Sequence, residues 1–273
     1  MTIRKLNVVM ICAHPDEPDM YAGGLAALYA EQGHNVRFLS LTNGDSGHYA
    51  LTKPEIAARR RLEADRAADV LGLDAYDILE TSDGELEPTL AVRKEVIRYL
   101  RQHEPDVLVA FHPEGGVSPD NRYAGRVVAD AVPYAGVPGF MPDIPSLRKR
   151  MLVLLMPDMS LQTSYRPDVA ICTDSVLEKK LLACDAHSTT FYELIPWGAG
   201  KLDAVPKDWP GRRQYLMDGW SIFGKSDRML PALELRYGKE RAAGIASAEA
   251  FEIARYGLQP SDSELDGLLP KTP

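Results

Sequence analysis

Residues 6–17 read Leu6-Asn7-Val8-Val9-Met10-Ile11-Cys12-Ala13-His14-Pro15-Asp16-Glu17. The run from Leu6 to Cys12 has the length and apolar content of a strand buried on both faces of a parallel sheet. At its mouth stand an imidazole and two carboxylates. A His and a carboxylate three residues apart can both reach one divalent ion, which leaves Asp16 between them to take a proton from a bound water.

Working outward, strand-length apolar runs recur at Val36–Leu41, Tyr76–Leu79, Val107–Phe111, Met151–Met156 and Val169–Cys172. Helical patterns separate them: Tyr21–Gln32 before Gly33, Pro54–Leu71 before Gly72, Thr89–His103, Arg122–Val132 before Pro133, and Ser175–His187. Strand and helix in alternation predict an α/β fold, a Rossmann-like parallel sheet with helices on both faces. Ligands bind such sheets outside the carboxyl ends of the strands, which draws attention to His14, Asn43, Asp45, Asp83 and His112. From about residue 196 the pattern weakens, and Glu240–Arg255 is the one clear helix expected there. We expect a domain over residues 1–200 and a C-terminal appendage over residues 201–273 packed on it, with the polar end from Pro260 to Pro273 fraying.

The chain has 273 residues, enough for one large domain, and its 45% apolar and 26% charged residues favour a packed core over disorder. A net charge of −8 argues against a nucleic-acid surface. The Arg59-Arg60-Arg61 and Arg148-Lys149-Arg150 clusters are read as solvated faces. Cys12, Cys172 and Cys184 lack CxxC spacing and are read as small hydrophobes of a reducing compartment. No apolar stretch approaches the roughly 18–20 residues of a membrane span. The expectation is a cytoplasmic protein with a small-molecule substrate, no nucleic acid and no membrane insertion. No Gly-x-Gly-x-x-Gly follows the first strand, so no dinucleotide site is expected, and Ser46-Gly47-His48 lacks the elbow of a nucleophilic serine.

Several residues carry two readings. Asn43-Gly44-Asp45 is either a turn or a wall of the substrate pocket. Arg60 is read from its helix as a solvated charge, and Asp83 caps a turn or binds a substrate hydroxyl. Tyr165 is either a core aromatic or a pocket residue, and Trp197 is read as core. His34 and His103 follow helix ends, where dipole and cap roles account for them.

Ala13-His14-Pro15-Asp16-Glu17, with Gly23-Gly24 in the next helix, resembles the Ala-His-Pro-Asp-Asp-Glu signature of the LmbE-like (PIG-L) metal-dependent N-deacetylases. Further segments agree in order: Thr42 to His48, the Arg60–Gly72 helix, Asp83 to Leu86, Arg122-Tyr123, Tyr165 to Val169, Lys179-Lys180, Ala186-His187-Ser188 and Pro196-Trp197. The resemblance spans residues 5 to about 200. It implies the LmbE-like deacetylase fold, with His14 as a metal ligand, Asp16 as general base, Glu17 in the place of the carboxylate ligand, and Arg60 and His187 near substrate. The implied cofactor is a divalent metal, zinc above others, and members of the family often form homo-oligomers.

This chain departs from the pattern twice. Glu17 is one methylene longer than the family's Asp, roughly 1–1.5 Å of reach against a tolerance of about ±0.2 Å in metal–ligand distance. The family's His-Pro-Asp-His is Ser118-Pro119-Asp120-Asn121 here. Asn121 offers a neutral amide in place of the third ligand, and the Ser118 hydroxyl, placed in the substrate pocket, is too weak an acid to protonate a leaving amine. His112, nine residues before Asn121, is the candidate replacement ligand, with Glu114 of the flexible Glu114-Gly115-Gly116 as the alternative. The expectation is therefore a hydrolase that removes an acyl group, such as acetyl, from an N-acylated small molecule such as an amino sugar or its conjugate. The alternative is a metal-free pseudoenzyme or small-molecule binding protein on the same fold.

Overall fold

Seven strands form one sheet in the order β3-β2-β1-β4-β5-β7-β6: β1 Asn7–Cys12, β2 Asn35–Ser40, β3 Ala75–Ile78, β4 Val107–Ala110, β5 Leu152–Leu155, β6 Val169–Cys172 and β7 Ala248–Ile253. They are seen in a computed structural model that describes residues 4–157 and 165–272. β1 lies inside the sheet between β2 and β4, with Val8 opposite both Val36 and Val107 in parallel register. All four residues of β4 and of β5 are buried, as a sheet covered on both faces requires. Helices α1 (Glu17–Glu31), α2 (Lys53–Leu71) and α5 (Leu177–Ala186) pack on one another, and α3 (Leu90–His103) packs on α4 (Pro119–Ala135). The predicted α/β architecture is the one observed.

Local chemistry sets the helix ends that frame the site. Thr52 and Glu55 form a capping box at the start of α2, whose far end closes on Gly72 with φ +75°. α4 begins at Pro119, earlier than the predicted Arg122, because Ser118 caps it, and it runs through Pro133 instead of stopping there. Its last carbonyls are not left bare. The buried Arg101 guanidinium donates to Tyr134, Ala135 and Val137 oxygens, and to Met141 and Ile144 beyond them, at 2.7–3.0 Å.

The expected helix Glu240–Arg255 is not observed. A short helix covers Lys239–Gly244, and then the chain extends into β7, antiparallel between β5 and β6. The sheet is therefore mixed. Ala and Glu favour a helix, but pairing on two sides and burial of Ala248 to Phe251 outweigh that weak preference. The buried Glu249 carboxylate accepts from the Gly24 and Leu25 amides of α1 at 2.8 and 2.7 Å and lies 2.8 Å from Lys180 Nζ. A side chain on Gly24 has no room, since its Cβ would lie 2.6 Å from Thr173 Cγ2. The end of the chain does not fray as expected: Asp262–Leu268 is helical behind a Ser261–Glu264 capping box, and Leu269 is buried. Pro273 lies outside the described residues.

Candidate active site

The loops leaving β1, β3 and β4 converge at the carboxyl ends of the strands. His14 follows β1, Asp83 follows β3, and Asp120 stands in the first turn of α4 after β4. His14 Nε2 lies 3.1 Å from Asp83 Oδ1 and 3.4 Å from Asp120 Oδ2. Asp120 Oδ2 also accepts from the Gly84 amide at 2.7 Å, which ties the β3 loop to α4. Among the described residues, His14, Asp83 and Asp120 form a group whose ligand atoms lie within 4.8 Å of one another and could hold a metal. Burial by itself lowers the His14 imidazole pKa, but the Glu17 charge and hydrogen bonds to Asp120, Asp83 and Glu17 push it well above the ordinary range. Burial raises the Asp83 carboxyl, and the hydrogen bond and charge of His14, then the Arg60 and Lys53 charges, bring it below its usual value.

The other nitrogen of His14 has a different neighbourhood. Nδ1 lies 2.8 Å from Glu17 Oε1, and Glu17 Oε2 accepts from the Ala13 and His14 amides at 3.0 and 2.8 Å. Asn121 Nδ2 donates to Glu17 Oε1, while Asn121 Oδ1 accepts from the Ser118 amide at 3.0 Å. The Ser118 hydroxyl in turn accepts from the Asn121 amide at 3.2 Å, completing a capping box. The longer Glu17 arm has curled back onto the loop that precedes its own helix. Glu17 and Asn121 thus satisfy one another and do not fit a cation, and the amide presents hydrogens where the family's imidazole would present a lone pair. The set that does fit is His14, Asp83 and Asp120, one nitrogen and two carboxylates, donors that zinc and harder divalent ions accept.

Asp16 precedes α1 and is buried. Its Oδ2 accepts from the Thr190 hydroxyl at 2.6 Å, and Thr190 Oγ1 accepts from Arg60 Nη2 at 2.7 Å. Arg60 Nη2 itself lies 3.8 Å from Asp16 Oδ2 and supplies its countercharge. Arg60 is no solvated helix charge: it is 3% exposed and lies against the backbone of the β2 loop. A Cβ at Gly44, which has φ +69°, would fall 2.5 Å from Arg60 Cδ, and one at Gly47 would fall 2.8 Å from Nη2. Glycine at both positions is what lets the guanidinium pass. Its Nε is buried without a partner.

The remaining expected residues are placed as follows. Asn43 Oδ1 accepts from the Asp45 amide, and Asp45 accepts from Ser82 Oγ and the Asp83 amide, so this pair orders the wall that holds Asp83. His187 is wholly buried, with Nε2 3.0 Å from Asp19 Oδ2, which also accepts from Tyr76 OH. His112 is not brought to the His14 cluster; its Nδ1 accepts from the Glu114 amide. Tyr165 OH donates to the Ala250 carbonyl beside a cavity of about 380 Å³ that Met20, Tyr21 and Lys180 also line. Trp197, expected in the core, is 50% exposed. Two site residues escaped the sequence reading. Asp120 had a signal, since it sits between the two substituted positions, whereas Thr190, from a π-helical turn over Thr189–Leu194, had none.

The sequence pattern of PIG-L, described as GlcNAc-PI de-N-acetylase, matches residues 9–132. The diacetylchitobiose deacetylase of Thermococcus kodakarensis is 30% identical over 198 residues, 68% of this chain and 71% of that protein. The 4-oxalmesaconate hydratase of Pseudomonas putida is 25% identical over 192 residues, 67% of this chain and 73% of that one. Among solved structures, the N,N'-diacetylchitobiose deacetylase of Pyrococcus horikoshii shares the fold with a TM-score of 0.68 at 22% identity, over 91% of this chain and 84% of that chain. His14 and Asp16 beyond the first strand, the sheet that carries them and these relatives agree: the chain belongs to the PIG-L (LmbE-like) family.

Proposed function

We propose that the chain is an amide hydrolase that removes an acyl group, acetyl first of all, from an N-acylated amino sugar or its conjugate. The observation that carries this reading is the pairing of two arrays at the carboxyl ends of the strands, Asp16–Thr190–Arg60 and His14–Asp83–Asp120. Asp16, oriented by Thr190, accepts the proton of the attacking water and returns it to the leaving amine, a task that Ser118 cannot perform. Arg60 holds the Thr190 hydroxyl with its hydrogen aimed at Asp16. His14, Asp83 and Asp120 would hold a divalent cation, zinc being the expected one, and it would supply polarisation of the acyl carbonyl and acidification of bound water. The deacetylases among the relatives support the substrate class. The three free cysteines support a reducing compartment such as the cytoplasm, and among the described residues no helix is long and apolar enough to cross a membrane.

A second reading, a binding protein without hydrolysis, draws on the closed Glu17–Asn121–Ser118 group. One experiment separates the two. Metal content at saturating zinc and acetate release from N-acetylglucosamine and its 1,4-linked dimer are measured on the same preparation. Stoichiometric zinc with acetate release, both lost in His14→Ala, is the expected result. Full metal occupancy without acetate, or no metal at all, sinks the hydrolase reading, and sugar binding retained in that event supports the second.

A further inference from the structure

The loop that leaves β2 carries His48 and Tyr49, and their rings stack at 4.5 Å between centroids and 19° between planes. Trp197 continues the stack on Tyr49 at 5.1 Å and 10°. Tyr49, 41% exposed, lies within this stack, and Trp197, 50% exposed, ends it as an aromatic ledge that stays half open among the described residues. The ledge is held firmly. His48 is almost buried, its Nε2 2.7 Å from Glu193 Oε2 and its Nδ1 accepting from the Ala50 and Leu51 amides at 3.0 Å, and Arg59 clamps the same Glu193 carboxylate. Holding rings ready in this way removes the entropy cost of ordering them on binding.

Its position is tied to the site. Glu193 and Thr190 belong to one π-helical turn, Thr190 bonded to Asp16 and Glu193 to the ledge. On the other side, Gly44 and Gly47 of the same β2 loop pack on Arg60, which bonds Thr190. An indole face carries negative charge density and attracts the polarised C–H groups on the flat side of a pyranose, while hydroxyls at the ring's rim meet polar groups.

We propose that the outer face of Trp197, backed by Tyr49, forms a second sugar subsite, which receives the ring linked to the N-acylated residue. This rests on the amino-sugar reading above, but its test does not depend on turnover.

In an Asp16→Asn background, which leaves substrate intact, affinities for N-acetylglucosamine and its 1,4-linked dimer are measured by titration calorimetry. The dimer is expected to bind about three- to tenfold more tightly, the size of one aromatic contact. Adding Trp197→Ala removes that advantage and leaves monosaccharide affinity as it was, and Trp197→Phe restores part of it. Equal affinities before Trp197 is changed, an advantage that persists in Trp197→Ala, or equal loss for both sugars overturns the subsite. So does self-association that Trp197→Ala abolishes with sugar binding unaltered, which gives the ledge to a second copy of the chain. Absence of acetate release with the dimer advantage intact counts against hydrolysis and leaves the subsite standing.

Discussion

The two nitrogens of His14 face opposite kinds of surroundings. On the Nδ1 side Glu17, Asn121 and Ser118 bond to one another and to backbone amides, as a helix cap does. On the Nε2 side two carboxylates converge on one imidazole with, among the described residues, no second cation as close, an arrangement that is costly unless a proton or a metal occupies it. Substitution at the family's ligand positions has turned one side of the ring into structure. On the function proposed above, the chemistry is left to the other side.

The largest effect that sharpens this contrast is expected from Asp16→Asn, which lowers kcat for deacylation by about 10²- to 10⁴-fold, as loss of a general base does, with little change in sugar affinity. Steady-state acetate release beside calorimetric binding checks it. Next, Asp83→Asn and Asp120→Asn each weaken zinc binding by at least about 10- to 100-fold, whereas Glu17→Gln leaves it within a few-fold. If Glu17→Gln proves the most damaging of the three, the assignment of the two sides is reversed. The pair Ser118→His with Asn121→His reopens the Nδ1 side: zinc affinity rises, and loss of the cap costs about 1 kcal/mol, read as a lower melting temperature.

The smallest effect concerns the buried His187. Burial alone would lower its pKa, but the charge and hydrogen bond of Asp19, then the Asp16 and Glu63 charges, raise it above the ordinary 6.5. A value raised in the folded state stabilises the protein fully below pH 6.5, and that contribution fades as pH rises through the raised value. His187→Gln therefore flattens the alkaline fall of the melting temperature, and unchanged slopes in the two proteins would contradict the Asp19 pairing.

Much of this was legible in residues 6–17. Apolar strands followed by polar residues located the site, and the signature placed His14 and Asp16 because both lie on the first β–α turn, where sequence and space run together. The Asn121–Glu17 contact was not legible, since a side-chain amide can turn either of its ends inward and only the Ser118 cap fixes which. Nor was Thr190, which reaches Asp16 across 174 positions. Trp197 was misread because an indole in an apolar sequence context has the same signature whether it is packed or offered to a ligand. β7 was misread because Ala-Glu-Ala-Phe-Glu-Ile obeys helix preference locally and strand pairing globally.

The placing of β7 between β5 and β6 bears on the order in which the molecule is made. Glu249 holds the amides of Gly24 and Leu25 from 225 and 224 positions away, so the helix that begins at Glu17 leaves the ribosome long before its anchor exists. Until residue 249 arrives, Lys180 has no carboxylate and β6 has no neighbour on its β5 side. Contacts of such span slow folding. A nascent chain stopped short of β7 should be held by chaperones, and a chain released there should be cleared by proteases as unfinished.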